Sequence, residues 1–266
     1  MGRLARGRLV IIGGAEDKEG DCIILRQVVD MAGGKEARLV VITTASQNPE
    51  KTGLEYARLF RRLGAGSTDI VTITNRAEAN DPDRAERVSR ATGLFFTGGD
   101  QLRITSTLGG TRVDDCLHRA YENGAVVAGT SAGASAMSNT MIVEGINEDA
   151  PKKCTTKMSP GLGLLEEVVI DQHFAQRGRI GRLLSALAQN PYILAVGIDE
   201  DTAMIVTPDD RFQVIGSQTV TVLDGRKIGY SNAWELQPNE PLALTGVTLH
   251  VLPAGYGFDL LGRKPD

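Results

Sequence analysis

The sequence predicts an α/β fold in which a mostly parallel sheet is covered by helices, and three observations predict it. Short β-branched apolar runs alternate with longer segments of helical period from the N-terminus onward. Several of these runs stop at glycine, as strands entering the loops of parallel sheets do. Across 266 residues, 41% hydrophobic, 5% aromatic and 23% charged side chains are the balance of a globular chain able to bury a sizeable core.

Taken in order, the first predicted strand covers 9–12 and a helix 22–31 follows; a second strand at 39–43 precedes a helix at 54–63, and a third at 70–73 precedes a helix at 85–91. Two more strands follow, 94–96 ending in Thr97-Gly98-Gly99-Asp100 and 125–128 ending in Gly129-Thr130-Ser131. Beyond about residue 190 the pattern changes to strand-like runs at 193–198, 203–207, 212–215, 220–223 and 247–252, joined by turns such as Pro208-Asp-Asp and Asp224-Gly225. These predict antiparallel hairpins that extend one edge or end of the same sheet. No internal repeat, low-complexity tract or linker interrupts the chain, so residues 1–266 read as a single domain.

The charge pattern excludes several function classes. With 29 Lys+Arg against 33 Asp+Glu the formal charge is -4, and no basic field exists to gather nucleic acid or anionic lipid. The start is basic, but its apolar run of 9–12 is too short for a leader, and no stretch approaches bilayer length. A cytoplasmic protein without membrane partners is expected. Cys22, Cys116 and Cys154 are odd in number, far apart and in no C-x-x-C pair, which predicts free thiols with neither a disulfide framework nor a thiolate zinc site. The segment Ile11-Ile-Gly-Gly-Ala-Glu-Asp17 lacks G-x-G-x-x-G, and no Walker pattern occurs, so it reads as a turn packing a helix onto the sheet and no cofactor is expected.

The strongest chemical signal is Val126-Val-Ala-Gly129-Thr130-Ser131-Ala132-Gly133-Ala134-Ser135, a buried-strand run entering G-x-S-x-G. In a nucleophile elbow the serine sits on a sharp strand-to-helix turn whose neighbours must be small. The helix that follows points its positive end at the negative charge developing on an attacked carbonyl. Ser131 is therefore the candidate nucleophile.

A serine nucleophile needs a base, and there are three histidines to choose from. His118 falls in a helical stretch and reads as a helix-surface residue, while alternation in 247–252 sets His250 opposite Leu249 and Val251, on a solvated face. His173 closes the extended run 167–173 just before a polar loop, where side chains become available to substrate, and is the favoured base. The carboxylate that orients it comes from Glu200, Asp199 or Asp171, with Glu200 first. A hydrolase-type rival pairs an acid among Asp199, Glu200 and Asp201 with His250.

After His173 come Arg177, Arg179 and Arg182, with Gln172 and Gln176 nearby. Such a run is commonly a solvated helix start, but beside an active site three guanidinium forks suit a carboxylate-bearing substrate. The Gly98-Gly99-Asp100-Gln101 loop can add a backbone N–H to an oxyanion hole alongside that of Ala132, with Gln101 free to read the substrate.

Taken together, Gly-Gly-Ala-Glu-Asp near the start, Phe-Phe-Thr-Gly-Gly-Asp-Gln at 95–101, Gly-Thr-Ser-Ala-Gly-Ala at 129–134, Asp-Gln-His-Phe followed by Arg-x-Arg-x-x-Arg at 171–182, and Gly-Ile-Asp-Glu-Asp-Thr-Ala at 197–203 resemble the serine peptidases that include dipeptidase E and, more closely, cyanophycinase. The resemblance covers nearly the whole chain. It implies a flavodoxin-like, three-layer α/β/α fold shared with class I glutamine amidotransferases. It also implies hydrolysis of cyanophycin, an aspartate backbone carrying arginine on each β-carboxyl, to β-Asp-Arg dipeptides. Carried over by residue, it implies Ser131 as nucleophile, His173 as base and Glu200 as third triad member. Gln101, Asp171, Gln172, Arg177, Arg179 and Arg182 would form the pocket, and the enzyme would be a homodimer. An α-aspartyl dipeptidase or a small-molecule sensor on the same fold are the alternative functions.

Overall fold

The computed structural model describes residues 7–147 and 149–266. The first six positions, on which part of the leader reading rests, lie outside the described residues. Strands β1 (Arg8–Ile12), β2 (Arg38–Ile42), β3 (Ser67–Val71), β4 (Gly93–Phe96) and β5 (Val126–Thr130) alternate with helices α1 (Ile23–Met31), α2 (Pro49–Arg62), α3 (Arg76–Ala79), α4 (Pro82–Ser89), α5 (Gln101–Leu108) and α6 (Arg112–Glu122). Then follow α7 (Ala132–Ser135), the ribbon β6 (Thr140–Gly145) and β7 (Thr156–Pro160), β8 (Val168–Gln172), α8 (Ile180–Gln189) and β9 (Leu194–Ile198). The chain ends in β10 (Thr202–Thr207), β11 (Arg211–Gly216), β12 (Thr219–Asp224), the short pair β13 (Tyr230–Ser231) and β14 (Leu244–Thr245), and β15 (Thr248–Pro253), β16 (Gly257–Asp259) and β17 (Lys264–Pro265).

Local chemistry explains where the elements begin. Helix α4 starts earlier than its apolar period suggests because the Asp81 carboxylate caps the N–H groups of Asp83 and Arg84, with Pro82 in the first turn. Asp100 likewise accepts from Leu102 N at 2.8 Å and starts α5 directly after β4.

The main sheet has nine strands in the order β17-β16-β11-β10-β1-β5-β4-β2-β3. Strands β3, β2, β4, β5 and β1 are parallel, and β10, β11, β16 and β17 add on antiparallel beyond β1. Period-2 alternation builds the layers. Val10, Ile12, Phe95, Val126 and Ala128 face Leu25, Val28, Tyr56 and Phe60 of α1 and α2, whereas Leu9, Ile11, Leu94, Phe96 and Val127 face Val88, Ile104 and Leu117 of α4, α5 and α6. Because the chain leaves β1, sets β2 and β3 at the far edge, and returns to lay β4 and β5 beside β1, the loops after β1, β4 and β5 converge at one end of the sheet. Open α/β sheets place their sites there.

The C-terminal half corrects the expectation that its hairpins extend a single sheet. Strands β10 and β11 do join the main sheet, but β12 and β15 form a second one in the order β15-β12-β9-β8. One face of it packs Ile170, Val196, Val222 and Leu252 into the core shared with the main sheet, and Val169, Ala195 and Leu223 on the other meet Leu183, Ala186 and Leu187 of α8. Strands β8 and β9 are buried along their whole length, β9 as an unbroken apolar run and β8 with Asp171 and Gln172 at its end, and only three-dimensional pairing separates them from the main sheet.

The same sheet corrects His250. Leu249 and Val251 are the residues facing outward, each 52% exposed, and His250 turns inward to lie edge-on to Phe258 at 5.4 Å between ring centroids. Packing against an aromatic ring across the gap between sheets decides the orientation, and polarity does not.

Candidate active site

Strand β5 delivers Ser131 to a backbone conformation of φ 54° and ψ -112°, sparsely populated for a residue with a side chain. Its neighbours must be small for a visible reason. A Cβ on Gly129 would come 2.7 Å from the Gly133 backbone, and one on Gly133 would come 2.5 Å from Phe96 O. Ser131 N–H donates to Ile12 O at 3.0 Å, and the Ser131 carbonyl accepts from Ala134 and Ser135, so strand and helix both grip the bend.

His173 leaves β8 through a left-handed conformation, φ 48°, and its N–H donates to Gly13 O at 2.8 Å. That left-handed turn at His173 ends the alternation of β8, and Asp171 bonds Arg179 and Arg182 instead of the imidazole. Nε2 lies 3.0 Å from Ser131 Oγ, and Nδ1 lies 2.6 Å from Glu200 Oε1. The ring rests on Gly14 (φ 105°), where a Cβ would stand 2.4 Å from Cε1. Burial lowers the imidazole below its ordinary pKa; the hydrogen bond to Glu200 opposes this and the charges of Arg177 and Arg179 reinforce it. The ring is therefore neutral at pH 7, as a proton acceptor must be.

Of the acids weighed for the third position, Glu200 alone meets the imidazole. Asp199 is buried and accepts from Ala175 N at 2.9 Å and Thr219 Oγ1 at 2.8 Å. Asp171, fully buried, accepts from Arg182 Nε at 2.6 Å, Arg179 Nη1 at 3.2 Å and Gln172 N at 2.9 Å, and also bonds Arg182 Nη2. Glu200 is held by its own N–H, which donates to Gln176 Oε1 at 3.0 Å. The rival pairing through His250 is absent, since that ring lies against Phe258.

The arginines differ from three open forks. Arg179 and Arg182 are buried against Asp171 and also reach Asn147 Oδ1 at 3.2 and 3.4 Å, while Arg179 Nη1 donates to Gln172 O at 2.5 Å. Burial lowers the Arg179 guanidinium to about 10 despite Asp171, which leaves it charged at neutral pH. Arg177 is exposed and, among the described residues, pairs with no carboxylate. Gln101 is also less free than expected: its Nε2 donates to Ile142 O at 2.7 Å and Val143 O at 3.3 Å. Gln172 Oε1 lies 3.4 Å from Ser131 Oγ.

Sequence reasoning missed Glu16, Gly13, Gly14 and Asn147. The signal for the first three was present in Gly-Gly-Ala-Glu-Asp, which reads as a turn but touches each arm of the site; Asn147 sits in a loop with no motif to mark it. A cavity of about 1130 Å³ lined by residues such as His118, Tyr121, Asp210 and Arg263 includes none of the residues around Ser131. Among the described residues no group of three or more His, Cys, Asp or Glu side chains is arranged to hold a metal, and no helix is long and apolar enough to cross a membrane.

A family model described as peptidase family S51 matches residues 9–215. The chain belongs to peptidase family S51. Relatives in that company include a cyanophycinase of Geminocystis herdmanii (strain PCC 6308), 37% identical over all of this chain and 98% of the relative. A cyanophycinase of Synechococcus elongatus is 39% identical over 96% of this chain and 80% of its own length. Among solved structures, a peptidase from an acI-B1 Actinobacterium superposes with a TM-score of 0.71 over 97% of this chain and 98% of its own, at 22% identity. At that identity the likeness speaks to the fold, and the S51 chain accordingly has the flavodoxin-like α/β architecture.

Proposed function

We propose that this S51 peptidase is a serine exopeptidase that hydrolyses cyanophycin to β-Asp-Arg dipeptides, with Ser131, His173 and Glu200 as its triad. The observation that carries the reading is the hydrogen-bonded line from Ser131 Oγ through both imidazole nitrogens to Glu200 Oε1, at 3.0 and 2.6 Å, ending on a strained elbow. Full-length similarity to two cyanophycinases supports the substrate.

In this mechanism His173 Nε2 takes the Ser131 proton as Oγ attacks a backbone carbonyl, and Glu200 stabilises the resulting imidazolium. The N–H groups of Gly99 and Ala132 hold the oxyanion. Collapse of the tetrahedral species passes the proton from His173 to the leaving amine and leaves an ester on Ser131. Water then attacks that ester with His173 again as base, and the dipeptide leaves with Ser131 restored.

Because each side-chain carboxyl of the polymer is amidated, its free carboxylates belong to the attached arginines and to the chain end. Exposed Arg177 is the fork available to grip one, and Gln101 and Gln172 present amide oxygens to the guanidinium groups. Asp171, Arg179 and Arg182 form the floor that sets Gln172 and His173 in place. A single domain, a cytoplasmic location and a homodimer complete the reading, and the dimer would cover the apolar strip of Leu249 and Val251 on edge strand β15.

Incubating the purified protein with cyanophycin and with α- and β-linked Asp-X dipeptides, and identifying products by mass spectrometry, tests the substrate. β-Asp-Arg released from the polymer is the expected result. Cleavage confined to α-Asp-X would mark a dipeptidase, and binding without turnover would mark a sensor.

A further inference from the structure

Four residues beyond the end of β1 lies a carboxylate that the mechanism leaves unused. The Glu16 side chain is 1% exposed, and each of its oxygens accepts a hydroxyl: Tyr56 Oη donates to Oε1 at 2.5 Å and Thr130 Oγ1 to Oε2 at 2.6 Å. The Lys18 ammonium stands 4.0 Å from Oε1 and 4.4 Å above the Tyr56 ring. Burial and the charge of Glu16 hold the Tyr56 phenol well above its ordinary pKa, so it remains a donor.

A buried carboxylate is tolerated only when its hydrogen bonds are satisfied, and here one of them is made by the residue immediately before the nucleophile. The same turn reaches the other arms of the site. Gly13 O accepts from His173 N, Gly14 O accepts from Asp201 N at 2.8 Å, and Asp17 N donates to Asp201 Oδ1 at 2.9 Å, beside Glu200. Segment 13–17 thus behaves as one rigid brace against three loops that carry reacting groups, and Glu16 is its link to the elbow.

We propose that Glu16 is a positioning residue for the nucleophile, holding Thr130 through its hydroxyl so that Ser131 keeps the strained conformation that aims Oγ at His173. This rests on Ser131 being the nucleophile. Relaxation of the bend would lengthen the contact from Oγ to Nε2 without altering the substrate pocket, so the loss belongs in kcat and not in KM.

The test compares Thr130→Val, which keeps shape but removes the hydroxyl, with Thr130→Ser, which restores it, and adds Glu16→Gln and the double variant. Each is measured for kcat and KM on cyanophycin, for the p-nitrophenol burst from a small activated ester, and for Tm, with Ser131→Ala alongside. Thr130→Val should lose roughly ten- to a hundredfold in kcat and in burst rate at unchanged KM. Thr130→Ser should recover most of it, and adding Glu16→Gln to Thr130→Val should cost little more, because both remove the same link. Wild-type kcat and burst in Thr130→Val, or a loss that merely follows Tm and is not recovered by Thr130→Ser, would overturn the proposal while Ser131→Ala remained dead. Full activity in Ser131→Ala would instead overturn the reading beneath it.

Discussion

Two ionic hydrogen-bond networks start two residues apart at the end of β8, and they differ in how completely their groups are satisfied. At Asp171 a buried carboxylate is surrounded by Arg179, Arg182 and the Gln172 N–H, with Asn147 closing the far side. At His173 the chain holds a neutral ring between a hydroxyl and a half-exposed carboxylate, and Ser131 Oγ has a bond still to form. The saturated network fixes shape; the unsaturated one has capacity left for chemistry. In one dimension both looked like catalytic clusters, because residue type shows charge and spacing but not who is already paired.

The comparison breaks most sharply at the triad. Ser131→Ala and His173→Ala should each lower cyanophycin cleavage by several orders of magnitude with circular dichroism and Tm retained, since they remove reacting groups and little packing. His250→Ala, which only loses contact with Phe258, should keep near-normal turnover. An inactive His250→Ala beside an active His173→Ala would reverse the assignment.

The saturated side should fail differently. Asp171→Ala leaves two buried guanidinium groups without their anion and should destabilise the fold by about 3 to 5 kcal/mol, read as a lowered denaturant midpoint. Arg179→Lys and Arg182→Lys, which cannot make the forked contact, should lose stability as well, with ester and cyanophycin hydrolysis declining together. Selective loss of cyanophycin cleavage at full stability would show that these arginines touch substrate directly. For exposed Arg177 the expectation is the opposite: Arg177→Ala should impair cyanophycin cleavage by roughly tenfold and spare a small activated ester, as removal of one charge-assisted contact would.

The smallest effect concerns pH. His173 must be neutral to accept the serine proton, and burial depresses its pKa below the ordinary value of 6.5. The acid limb of kcat/KM therefore falls below pH 6.5, with activity present above it and lost as pH drops through the depressed value. Glu200→Gln removes the charge that holds the imidazole up, so the limb should move lower still while the rate at pH 7 decreases. A limb above 6.5 in the wild type would place proton uptake on another group.

How much of this was legible depended on whether sterics or pairing carried the information. The parallel strands were readable because apolar, β-branched runs such as Leu9 to Ile12 are buried on both faces, and the elbow because Gly129 and Gly133 answer to backbone contacts that no larger residue survives. The second sheet was not readable: β9 and β10 follow one another with similar burial, and hydrogen-bond partners alone send them to different sheets. Ribbon β6–β7 passed unnoticed because Thr140–Gly145 and Thr156–Pro160 stand far from each other across a polar loop. Glu16 and Asn147 were invisible as site residues because their importance lies in the groups they accept from.

The central claim is that Ser131 is the group that becomes acylated. Treating the wild-type protein with a small serine-directed fluorophosphonate and mapping the adduct by peptide mass spectrometry tests it most directly. A single adduct on the peptide containing Ser131, slowed by added cyanophycin and absent in His173→Ala, is the predicted result. Cyanophycin cleavage by a protein that carries no adduct at Ser131, or that carries it on another residue, would contradict the account.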